Sequence, residues 1–128
     1  MAVHPKDVQY AELMRRKPTR EARAWIDDQT IERTIGSLCV EQSTSFVHRL
    51  YACGAVAVHA VDIRSFPPRP RIGLTHPSEC VHTIIVEIPM EPAAVREKLF
   101  SFESEHAIVQ GFDGVRDEGQ RLLFFKAE

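Results

Sequence analysis

The sequence has no apolar run approaching the 18 residues that would read as a membrane span. Its first ten residues, MAVHPKDVQY, lack the apolar core of an export signal, so a cytoplasmic setting is expected. Cysteine is scarce and odd in number. Cys39, Cys53 and Cys80 make no disulfide framework, and each sits among apolar residues where a free thiol packs as a small hydrophobe. Charge of one sign is also missing. Sixteen Lys plus Arg face eighteen Asp plus Glu, a net charge of -2, which argues against a dedicated nucleic-acid binder. Missing too are the G-x-S-x-G elbow, the phosphate loop and the dinucleotide fingerprint. No paired C-x-x-C marks a metal, and no cofactor is expected.

What is present is ordinary globular material, with 44% hydrophobic and 27% charged residues in 128. A chain of that length buries about two-thirds of its surface and needs neither disulfide nor metal to fold. Charge is nevertheless uneven along it. Residues 87–128 carry nine acids and five bases, whereas residues 64–71 carry Arg64, Arg69 and Arg71 and no acid.

Residues 1–33 read as a helical arm that docks on the main body or on a partner subunit. Pro5 suits a first helical position and Pro18 stops that helix. Thr19 is a candidate N-cap for a second helix over 20–32, with Trp25 and Ile26 as its apolar anchors. From residue 34 the order becomes strand (34–41), helix (43–53, ended by Gly54) and strand (55–64). A proline-rich loop, a strand (80–88), a helix (92–110) and a last strand (121–126) follow. This order predicts an α+β, ferredoxin-like βαββαβ sandwich over 34–128, with a four-stranded antiparallel sheet and two helices on one face.

Both faces of that sheet read as apolar. In 121–126, Leu122 and Phe124 face one way and Leu123 and Phe125 the other. A bare apolar face of this size needs a cover. Either the N-terminal arm folds back over it, or two copies pack sheet to sheet as a homodimer through Trp25, Ile26, Phe124 and Phe125.

Candidate chemistry centres on His76-Pro-Ser-Glu-Cys80-Val-His82. Cys80 and His82, at i and i+2 on a strand, should share a face, and His59 could approach from the neighbouring strand. A metal-assisted or thiol-based enzyme would place its site there. The loop from Arg64 to Arg71 carries the other expectation. Its three prolines should hold three guanidinium groups apart, ready for carboxylates or phosphates of a partner protein, and Arg64 to Pro70 fits R-x-x-P-x-x-P.

One family shares this order. A helix ending at Gly54, a long loop and then Gly111-Phe112-Asp113-Gly114 before the last strand is similar to the bacterial regulators of ribonuclease activity, type B. Val115 stands where that pattern has an aromatic residue, and the family's strong acidity is absent. The resemblance implies a ferredoxin-like protein that binds and restrains another protein and does no chemistry.

Overall fold

The computed structural model describes residues 3–28, 30–73 and 76–127. Four helices and seven strands follow the order α1 (Pro5–Arg16), β1 (Thr19–Glu21), α2 (Ala22–Asp27), β2 (Glu32–Ile35), α3 (Val40–Ala52), β3 (Ala57–Val61), β4 (Arg64–Phe66), β5 (Ser78–Val81), β6 (Thr83–Glu87), α4 (Ala93–Val109) and β7 (Leu122–Lys126). The class is α+β, with a four-stranded antiparallel sheet in the order β1-β3-β6-β7 and a three-stranded sheet in the order β2-β5-β4.

The two sheets share one long ribbon. Ala57 pairs with Glu87, Val61 with Thr83, Arg64 with Cys80 and Phe66 with Ser78, so β3–β4 runs against β6–β5 in a single register. The ribbon breaks at Asp62, whose φ of 61° lies in the left-handed region, and opposite it at His82. At this break the inward-facing parity changes. Val58, Ala60, Ile84 and Val86 face the main core on one side of it; on the other side Val81 does, with Ile63 packed against it.

The strand order departs from the ferredoxin-like expectation here. The strand expected first, β2, pairs parallel with β5 beyond the break, and the last strand, β7, pairs antiparallel with β6 before it. Both use the same side of the ribbon, end to end. The Gly36 N–H reaches the Val81 carbonyl and the Ala127 N–H reaches the His82 carbonyl, each at 2.8 Å. A Cβ on Gly36 would lie 2.9 Å from the Ala127 backbone, so only glycine lets the two strand ends meet. The fourth strand of the antiparallel sheet is instead β1. Thr19 to Glu21 read as the start of a helix but pair with Val61 to His59. The Glu21 carboxylate, accepting the N–H groups of Arg23 and Ala24 at 2.8 Å, then caps a shorter helix, α2.

The main core lies between the sheet and α2, α3 and α4. Trp25 and Ile26 from α2, Phe46, Val47 and Leu50 from α3, and Leu99 and Phe100 from α4 meet Val58, Ile84, Leu123 and Phe125. The N-cap of α3 is Cys39, exchanging hydrogen bonds with Gln42; Ser43 turns inward and accepts the Ile35 N–H at 2.8 Å.

The opposite face is covered by α1. Tyr10, Leu13 and Met14 pack on Val61, Ile85, Leu122 and Phe124, and the Tyr10 ring stacks on Phe124 at 5.3 Å. Docking is fixed by Asp7. Its buried carboxylate accepts the Arg121 N–H at 2.9 Å and the Leu122 N–H at 2.9 Å, the two donors that open β7. Of the residues expected to meet a second sheet, Trp25, Ile26 and Phe125 are spent in the chain's own core and Phe124 lies under Tyr10. The second face finds its cover within the chain because α1 supplies an apolar stripe at helical spacing and a carboxylate that matches two unpaired strand donors.

Candidate interaction surface

Beyond the break, the ribbon leaves the core. Every residue from 64 to 73 is exposed. Pro67 and Pro68 have no N–H to donate, so the ladder stops at Phe66. Pro70–Ile72 form one turn of 3-10 helix, closed by the Gly73 N–H on the Pro70 carbonyl at 3.1 Å. Gly73 sits at φ 84°, which a β-carbon would strain. The turn interrupts the extended course expected from the prolines.

The arm has a firm footing. Glu79, in β5 opposite Ser65, accepts the Trp25 indole N–H at 3.0 Å and the Arg33 Nε–H at 2.8 Å. The Ser65 hydroxyl donates to the same carboxylate at 3.4 Å. Arg33 is itself buried, with one amino group on the Asp28 carbonyl and another 3.4 Å from the Asp28 carboxylate. Thr30 donates to Asp28 through its hydroxyl and its N–H and, with Arg33 adding to this, holds that carboxyl below its ordinary pKa. Nothing in the spacing of Trp25, Arg33 and Glu79 announces this network. Its members lie up to 54 residues apart, and a charged residue within a short strand reads as solvent-facing.

Arm charge is largely unspent. Arg64 lies 3.7 Å from Asp62, and neither Arg69 nor Arg71 has an ion pair among the described residues. Two apolar side chains stand beside them, Phe66 at 43% and Ile72 at 67% exposure. A stiffly footed hairpin carrying three guanidinium groups and two apolar contacts can grip a surface that offers carboxylates around an apolar patch.

In the other expected cluster, the ladder sets His59 and Cys80 at different levels. His59 sits opposite Ile85 in the ladder and Cys80 opposite Arg64. Five residues of strand separate those levels, about 17 Å at strand rise. Each side chain has its own partner: His59 Nε2 lies 3.5 Å from Glu87, the Cys80 thiol 3.8 Å from the Gly36 carbonyl, and His82 Nδ1 2.8 Å from the Ala127 carbonyl. Cys80 lies in β5 and His82 in the break between β5 and β6, so the two do not share one uninterrupted strand. His48 pairs with Asp27 at 2.8 Å, and Cys53 closes the end of α3. No group of three His, Cys, Asp or Glu placed to hold a metal ion occurs among the described residues.

One cavity stands near the arm's base. It measures about 770 Å³ and opens between the segment leading into β2 and the first turns of α3. Ile26, Ile31 and Val40 supply apolar lining, Glu32 and Glu41 supply carboxylates, and His76 borders it. That volume lies within the range of ligand pockets. No helix among the described residues is long and apolar enough to cross a membrane. No family model, curated protein or solved structure matches the chain.

Proposed function

We propose that this protein is a small non-enzymatic binding domain that acts on another protein through its arginine arm. The observation that carries this reading is the contrast within one ribbon, whose base packs against helices on both faces while residues 64–73 are wholly exposed with Arg69 and Arg71 free of ion pairs among the described residues. Such an arm on a rigid footing loses little freedom when it binds, and its partner should present clustered carboxylates. The likeness to the type B regulators of ribonuclease activity supports the same class, a protein that restrains a partner by contact. In that reading the body is a ferredoxin-like plan opened at its break, with β2 and β7 end to end, and its setting is cytoplasmic. The alternative reading, an enzyme or metal site at His59, Cys80 and His82, has no convergent geometry to support it.

The test is a titration of a fluorescein-labelled, glutamate-rich peptide followed by anisotropy. Wild-type protein should bind it in a salt-dependent way, and changing Arg64, Arg69 and Arg71 together to Ala should weaken binding at least tenfold. Equal binding by both proteins would remove the arm from the contact.

A further inference from the structure

We propose that the arm's partner is a second copy of this chain, whose acid-rimmed cavity beside α3 receives Arg69 and Arg71. This rests on the arm being a contact surface and adds the identity of what it contacts. Three observations lead to it. First, the two surfaces complement each other in charge. Arg69 and Arg71 have no ion pair among the described residues, and neither have Glu32 and Glu41 on the cavity rim; Arg33, also at the cavity, is matched internally by Glu79 and Asp28. Second, they complement each other in polarity, since Ile72 and Phe66 flank the arginines while Ile26, Ile31 and Val40 line the cavity.

Third, their placement suits reciprocal exchange. The arm extends from β4, at one edge of the three-stranded sheet β2-β5-β4, and the cavity is lined by β2, at the other edge, with the first turns of α3 and with His76 near the arm's base. A two-fold axis beside that sheet lets each arm enter the other's cavity, making the same contact twice. Within one chain neither arginine lines the cavity. The apolar sheet face that could have driven pairing is already filled by α1, so self-association has to use another surface. Arm-to-arm pairing along β4 is disfavoured because it brings six guanidinium groups together, against which the carboxylates of Glu32 and Glu41 offer neutralisation.

The experiment is charge exchange, read as mass by light scattering and sedimentation from one to several hundred micromolar. One variant is R69E/R71E, which reverses the arm; the other is E32R/E41R, which reverses the rim. All four positions are outside the core, and circular dichroism checks folding of each. Wild type should be a dimer, each variant alone should dimerise at least tenfold more weakly, and an equimolar mixture should restore the dimer, because a reversed arm then meets a reversed rim in one contact and a native arm meets a native rim in the other. A monomeric wild type throughout the range overturns self-association, while the peptide titration still decides whether the arm binds acidic surfaces. A dimer that ignores both reversals overturns it, as does a mixture that fails to reassemble, which would exclude the cavity as the receptor.

Discussion

The base and the tip of the long hairpin differ in everything except register. Between Ala57–Val61 and Thr83–Glu87 the ribbon lies under α2, α3 and α4 on one face and α1 on the other. From Arg64 to Gly73 every residue is exposed. Two residues separate the regimes: Asp62, at a φ of 61°, and His82, tied to the Ala127 carbonyl. At the base, Val58, Ala60, Val61, Ile84, Ile85 and Val86 are buried in the two core clusters and contribute to stability. At the tip, prolines end the ladder and arginines stand in solvent, where side chains contribute little to folding and are free to meet a partner.

The sharpest way to break the comparison is to damage the buried half. Trp25→Ala removes a fully buried ring and the indole donor to Glu79, and should cost about 3–5 kcal/mol. Urea unfolding would show it, and a loss below about 1 kcal/mol would mean that α2 is not part of the core. Next comes Asp7→Ala, which strands the Arg121 and Leu122 N–H groups beneath α1 and should cost about 2 kcal/mol. Hydrogen exchange should show α1 and the start of β7 losing protection while α3 keeps it.

Titration separates the carboxylates by sign. The two donors of Arg96, at 3.1 and 2.6 Å, hold the Asp117 carboxyl below its ordinary pKa. Burial raises the Glu21 carboxyl, but the Tyr51 hydroxyl and the N–H groups of Arg23 and Ala24 together outweigh it, and the net shift is downward. The stability these two supply is complete above the ordinary carboxylate range and fades as pH falls through their lowered values. Glu103 runs the other way. Burial raises its pKa although the Val115 N–H donates to it at 2.8 Å. Its ionised form therefore costs stability above the raised value, and the cost disappears as pH falls to the ordinary range. Glu103→Gln should raise the melting temperature at pH 7, with the gain closing on acidification; a gain that persists unchanged in acid would point to packing.

How much of this was legible in the sequence depends on what held each element together. Local patterns sufficed for α1, α4 and the end of α3, where Pro5, Gly111 and Gly54 mark the ends, and for β7, whose alternate residues do face opposite clusters; the start of α3 was missed, because residues 34–41 read as one strand whereas β2 ends at Ile35 and Cys39 caps a helix that begins at Val40. They failed where a partner far along the chain decides. Thr19 to Glu21 become a strand because β3 offers an open edge, while the local pattern favours a helix. Arg33 is buried because Glu79 and Asp28 receive its charge. The His59, Cys80 and His82 grouping assumed one strand over 80–88, whereas β5 ends at Val81 and β6 begins at Thr83. The arm was legible because prolines, arginines and the lack of acids are all local properties.

The most direct test of the account is thermal unfolding and peptide binding measured on one protein, with Arg64, Arg69 and Arg71 all changed to Ala. At a dilution where both proteins are monomeric, surface positions with so few contacts should shift stability by no more than about 0.5 kcal/mol, so the melting curve should overlay wild type while binding of the glutamate-rich peptide is lost. A large fall in melting temperature with binding intact per folded molecule would contradict the account, making the arginines a clamp on the fold.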